Sequence, residues 1–146
     1  MDVIKLEDFA RDHPGEKFPE YRTLTEQETA EIRKKLADKL GLPGTATGLE
    51  LVKAVAERGL EISQTNAEEK TPDFPALLRK PGISLKERIL INWYRFDRVD
   101  AMSLNDFSKY FADLWYPGAD HIDIFDESLG WIMSIDYSGS VSLLKL

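Results

Sequence analysis

Eleven of the chain's fifteen aromatic residues, including all three tryptophans, fall between Trp93 and Tyr137. Aromatic side chains dominate the apolar area a core can bury, so the core must gather most of its weight in the C-terminal third. There His121-Ile122-Asp123-Ile124-Phe125 alternates as a strand does, and residues 131–137 and 140–146 read as two strands paired around Ser138-Gly139. With a two-residue loop, Trp131, Met133, Ile135 and Tyr137 share one apolar face with Leu144 and Leu146. Ile132, Ser134, Asp136, Val141, Leu143 and Lys145 then make the opposite, mixed face. Ser103 caps a helix that carries Leu104, Phe107, Phe111, Leu114 and Trp115 on one side until Pro117-Gly118 breaks it. Ser84 and Glu87 form a capping box ahead of Ile89–Phe96, but β-branched and aromatic residues crowd that run, so helix and strand compete. We read it as a mostly buried strand.

Helix signals punctuate the first half. Thr25 with Glu28 forms a capping box before Ile32, Leu36 and Leu40, and Gly41 with Pro43 supplies the stop. The spacing predicts a helix over 26–40, acidic in its first turn and basic later, as the helix dipole favours. Thr47 with Glu50 repeats the box before Leu51, Val52 and Val55, predicting a second helix over about 48–58 that stops at Gly59. Residues 63–84 hold Pro72, Pro75, Pro81 and a charged patch, and read as a long loop with at most one helical turn near Phe74–Arg79. The expected fold is one α+β domain over 1–146: a helical part (1–62), the loop (63–84), and an acidic, aromatic-rich part (85–146). In that last part an antiparallel sheet of about three to four strands packs against a helix.

Charge is as unevenly spread as the aromatics. Residues 1–95 carry 16 basic and 17 acidic side chains, whereas 96–146 carry 3 and 9, so most of the net charge of −7 lies in the last third. Such a chain repels nucleic-acid phosphates and anionic lipid. It has no cysteine, which excludes disulfides and thiol chemistry while leaving the redox compartment open. The opening MDVIKLEDFARD has neither the basic start nor the apolar run of a signal peptide, and no apolar run of ~18 residues follows. A soluble cytoplasmic protein is expected.

Chemistry-bearing motifs are sparse. No phosphate-cradling glycine loop occurs, and Tyr137-Ser138-Gly139-Ser140 lacks the helix a nucleophile elbow needs. Of the two histidines, His13 sits in a turn. His121 shares a strand face with Asp123 at roughly 6–7 Å, and with one outside carboxylate the pair could hold a divalent metal, Asp120 supporting it. The competing reading is a sheet edge whose charges discourage strand addition, with Asp120 capping a turn and His121 exposed. Aromatics at helical or strand spacing are core residues, and no cofactor is needed to explain them.

Ile91-Asn92-Trp93, Asp113-Leu114-Trp115-Tyr116-Pro117 with Asp120 to Asp126, and Leu129-Gly130-Trp131-Ile132 running to Gly139 together resemble the small bacterial immunity proteins of polymorphic or contact-dependent toxin systems. The likeness covers residues ~89–146. It implies a cytoplasmic α+β protein that blocks a toxin domain without doing chemistry. The local acidity points to a basic partner domain such as a nuclease, met by Asp97, Asp100, Asp120, Asp123, Asp126 and Glu127, which loops and the sheet edge would present. Asp136, paired with Lys145, is a weaker candidate. A small metal-dependent hydrolase using His121 and Asp123 is the alternative, and an accessory or scaffold domain is a third.

Overall fold

The computed structural model describes residues 1–146. In chain order the elements are α1 (Val3–Asp12), β1 (Tyr21–Thr23), α2 (Glu26–Lys39), α3 (Gly48–Arg58), β2 (Leu60–Asn66), α4 (Phe74–Arg79), β3 (Arg88–Asn92), β4 (Val99–Ser103), α5 (Leu104–Lys109), α6 (Phe111–Leu114), β5 (Ile122–Phe125), β6 (Trp131–Ile135) and β7 (Ser140–Lys145). Both expected capping boxes are formed. The Thr25 hydroxyl accepts the Glu28 N–H at 3.2 Å while the Thr25 N–H donates to the Glu28 carboxylate at 2.7 Å; Thr47 and Glu50 do the same at 3.2 and 2.8 Å. Four orphan donors are thereby satisfied, which sets where α2 and α3 begin.

All strand pairs are antiparallel, in the order β1-β4-β3-β5-β6-β7-β2. The fold is α+β as expected, but the sheet has seven strands rather than three or four. Both of its faces are buried, which makes three layers. On one face Ile91, Met102, Ile122, Ile124, Trp131 and Met133 meet Phe74 and Leu78 of α4 and Phe107, Phe111 and Leu114 of α5 and α6. On the other, Leu90, Phe125 and Ile132 meet Leu36 and Leu40 at the end of α2 and Leu51 and Val55 of α3. No helix is long and apolar enough to cross a membrane.

Several local expectations need correction. The β6–β7 hairpin pairs Ile135 with Val141 and Met133 with Leu143, one residue out of the expected register. Its loop is three residues long: the Asp136 N–H donates to the Ser140 carbonyl at 3.1 Å, and Gly139 takes the left-handed conformation at φ +84°. The slip moves Val141 and Leu143 to the face of Trp131 and Met133, and Leu144 and Leu146 to the face of Ile132. Because both faces are covered, either register would bury apolar side chains, so hydrophobicity alone could not choose. The helix expected from Ser103 to Pro117 is broken at Tyr110 (φ −106°, ψ 20°), where the ring packs edge-on against Phe9 of α1 at 5.7 Å. The segment read as a loop begins inside β2, an exposed edge strand bonded to β7, although its helical turn at 74–79 is present.

The strand expected over 89–96 ends at Asn92. There the Asn92 side-chain carbonyl accepts the N–H groups of Tyr94 (3.2 Å) and Phe96 (2.7 Å), curling the chain into a tight connection to β4. Tyr94 and Phe96 pay in backbone strain, at φ 148° and 53°. The Arg33 guanidinium braces the turn by donating to the Phe96 carbonyl at 2.6 Å. Gly48 at the start of α3 packs so closely on the Arg95 carbonyl that a Cβ there would lie 1.8 Å from its oxygen.

Candidate functional site

The six candidate carboxylates do not form one exposed surface. Asp97 and Glu127 are exposed, Asp120 is half-buried, and Asp100, Asp123 and Asp126 are buried. The expectation that loops and a sheet edge present all six is corrected for a topological reason. The strands β4 and β5 are interior, so their acids point into the layers between sheet and helices. Each buried acid is fully employed. Asp100 Oδ2 lies 2.7 Å from the Met1 amino nitrogen and accepts the Trp93 indole N–H at 2.7 Å, while Oδ1 accepts the Thr23 hydroxyl at 2.6 Å. Asp126 accepts the Trp131 indole N–H at 3.0 Å, the Ser128 N–H at 2.9 Å and the Ser128 hydroxyl. No buried side-chain nitrogen or oxygen lacks a hydrogen-bond partner.

Asp123 sits in a polar row crossing three strands in register, Asn92 on β3, Asp123 on β5 and Ser134 on β6. The Asn92 amide donates to Oδ2 at 2.9 Å and the Ser134 hydroxyl to Oδ1 at 2.5 Å. The structure brings His121 to the same acid, with Nε2 3.6 Å from Asp123 Oδ1 and the ring edge-on to Tyr137. The adjacent Asp123 carboxylate raises the His121 pKa above its ordinary 6.5, burial opposes this, and the charge of Asp136 adds to the rise. A raised pKa in the folded state means that protonation of His121 stabilises the fold: the contribution is complete below the ordinary value and disappears as pH rises through the raised one. The melting temperature of the parent should therefore exceed that of His121→Gln at about pH 5.5 and converge with it by about pH 9. A difference that is constant across the range would show that the ring acts by packing alone.

Nowhere do three His, Asp or Glu side chains gather as metal ligands. His13 closes α1 and lies with Nε2 2.9 Å from Asp113 Oδ1, stacked on Phe9 at 4.4 Å. The expected pairing of Asp136 with Lys145 is corrected. Asp136 Oδ1 caps the hairpin by accepting the N–H groups of Ser138 (2.9 Å) and Ser140 (3.0 Å), and the Lys145 ammonium donates to the Pro81 carbonyl at 3.0 Å.

Asp120 belongs to a different arrangement, one that no local sequence signal marks. Lys5 of α1 is buried and donates to Asp120 Oδ2 at 2.5 Å, with its ammonium 4.0 Å from the centre of the Tyr116 ring and 5.4 Å from that of Trp93. The Tyr116 hydroxyl donates to Asp8 at 3.0 Å. Burial first, then that bond and the surrounding acids, push the Tyr116 pKa up to about 12.

A concavity of about 780 Å³ lies beside the β1 edge, where Glu20–Arg22, Lys86–Arg88 and Glu127 meet the ends of β4 and β5. Its lining is polar, and Tyr21, Ala101 and Met102 are its only apolar members. Arg22 is held by Glu28 at 2.9 Å. Glu20, Lys86, Glu87, Arg88 and Glu127 are exposed and none forms an ion pair within 4 Å. Of the sequence candidates only Asp126 and Glu127 border this groove, and Asp126 is spent on Trp131. The other charges come from segments far apart in sequence, so no local motif could have flagged them. Comparison with protein-family models, with curated proteins and with solved structures finds no match to this chain.

Proposed function

We propose that the chain is a non-enzymatic binding protein of the immunity type, which neutralises a toxin domain by seating it on the charged groove beside β1. The observation that carries this reading is the set of exposed, unpaired charges of both signs, Glu20, Glu87 and Glu127 with Lys86 and Arg88, around one open concavity. Unpaired charge on a concave surface steers a complementary protein and fixes its register. The acids with histidine chemistry lie elsewhere: Asp123 has no solvent exposure and both of its oxygens are bonded, which favours a structural role over the hydrolase alternative. The acidic balance of the whole chain, −7, suits a partner of opposite net charge such as a basic nuclease domain.

The test is binding to the product of the adjacent reading frame, with charge reversal at Glu20, Glu87 and Glu127 and, as a contrast, at the exposed Asp97, which lies outside the groove. Reversal at the groove should slow association about tenfold and weaken the salt dependence, since exposed charges are screened over ~10 Å at 0.1 M salt. Unchanged association across the three groove variants would remove the groove from the reading.

A further inference from the structure

Asp100 is a buried carboxylate whose one counter-charge is the Met1 nitrogen. Its Oδ2 lies 2.7 Å from that ammonium, and neither side of the pair has any solvent exposure. The other donors to Asp100, the Trp93 indole and the Thr23 hydroxyl, are neutral, and no lysine, arginine or histidine comes within 4 Å of it. The residues around the nitrogen are tied down as well. Met1 packs on the core layer that holds Trp131 and Phe111, Asp2 caps α1 by accepting the Ile4 N–H at 3.0 Å, and Lys5, one turn on, is fastened to Asp120 at 2.5 Å. An acyl group on the Met1 nitrogen would leave one neutral N–H where three charged ones stand, and would add a carbonyl with no opening to solvent. Asp100 would then be a buried charge without a partner, which is strongly destabilising.

We propose that the Met1 nitrogen is a processing site: the chain reaches its full stability only after an amide at that nitrogen has been hydrolysed by an amidohydrolase or a peptidase. Two groups share this chemistry, the formyl that bacterial initiation leaves on methionine and the peptide bond to a preceding segment. In both, water adds to the acyl carbon, the carbon–nitrogen bond breaks, the acyl part leaves as a carboxylate, and the amine takes the proton that water supplies, becoming the cation that Asp100 receives. Nothing is oxidised or reduced. Because the pair is closed to solvent, the cut precedes packing, while β4 has yet to close on the N-terminus. The inference concerns how the fold is completed and stands apart from the groove.

The test compares three forms of the full chain: a free Met1 amine, an Nα-formyl Met1 obtained by expression with a deformylase inhibitor, and a leader of neutral residues ending in a protease site directly before Met1. The formyl and leader forms should each melt about 10 °C below the free amine, and deformylase or the protease, applied to the unfolded chain before refolding, should restore the difference. The leader carries an ammonium of its own, so its loss reports where the charge sits and not the net charge. In Asp100→Asn the acylated forms should lose their disadvantage or melt above the free amine, since the charge left unpaired is now the ammonium's. Equal melting of the three parent forms overturns the proposal, and so does an acyl penalty as large in Asp100→Asn as in the parent. Exchange of the Trp93 indole N–H reads the same pair with no substitution: about tenfold faster exchange in the formyl form is expected, and equal rates overturn the proposal. Mass spectrometry of the chain from its own cells separates the two sources. A formyl form that accumulates under the inhibitor identifies the formyl group, and loss of encoded preceding residues identifies a leader; a formyl, an acetyl or further residues still on the Met1 nitrogen of the untreated chain overturn the proposal.

Discussion

Replacing Trp131 with alanine should lower folding stability by about 3–5 kcal/mol, the range for truncating a large aromatic side chain in a core. Trp131 is 5% exposed and packs in the layer between the sheet and α4–α6. The loss has two parts. Truncation opens a cavity, and it strips the buried Asp126 of the indole N–H bonded to Oδ2, leaving a carboxylate oxygen unsatisfied. Urea unfolding measures the sum. Trp131→Phe separates the parts, because it keeps most of the volume and still orphans Asp126. A Trp131→Ala chain with the parent's midpoint would contradict the packing described.

Asn92→Ala should cost about 3 kcal/mol or more. One side chain here serves two neighbours at once: its amide satisfies buried Asp123, and its carbonyl holds the Tyr94 and Phe96 N–H groups of the strained turn. Removing it exposes the strain at those two residues as well as the unpaired charge. The Phe96 amide should also lose its protection in hydrogen exchange. Ser134→Ala removes the other donor to Asp123, and the double variant should depart from additivity by about 0.5–3 kcal/mol, since both act on one carboxylate. Strict additivity would mean that the polar row is two independent contacts.

What could be read from the chain beforehand was what is decided locally. The capping boxes at Thr25 and Thr47 set α2 and α3 because cap and acid are three residues apart and complete in themselves. The alternation of Ile122-Asp123-Ile124 gave β5, and Ser138-Gly139 gave the hairpin. The hairpin's register was not decidable, because a sheet covered on both faces accepts apolar residues at either parity. The short strand β1 and the exposed polar strand β2 carry no hydrophobic signal, since edge strands take their identity from the neighbour they bond to. α1 was hidden because its buried positions include a lysine, which counts as a surface residue until Asp120 is brought to it. The candidate site suffered from the same assumption. Acidity suggests exposure, yet Asp100 and Asp123 are polar fastenings of interior strands and Asp126 of the turn that follows β5, and the groove assembles charges that sequence keeps apart.

The strand order β1-β4-β3-β5-β6-β7-β2 also sets the sequence of events when the chain is made. Its closely spaced pairings, β3 with β4, β5 with β6 and β6 with β7, all lie from Arg88 onward. Tyr21 must wait for Met102, and Leu60 for Leu143, while α2 and α3 have no sheet to cover until those late strands exist. A ribosome releases the N-terminal segments first, so the amphipathic helices spend most of synthesis without the surface they are shaped for, and assembly runs against the direction of translation. Long-range closure of this kind is slow and exposes apolar surface while it waits. The charges that α2 and α3 carry, acidic in the first turn and basic in the last, also keep each helix water-compatible on its outer side while its apolar side waits for residues 88–146.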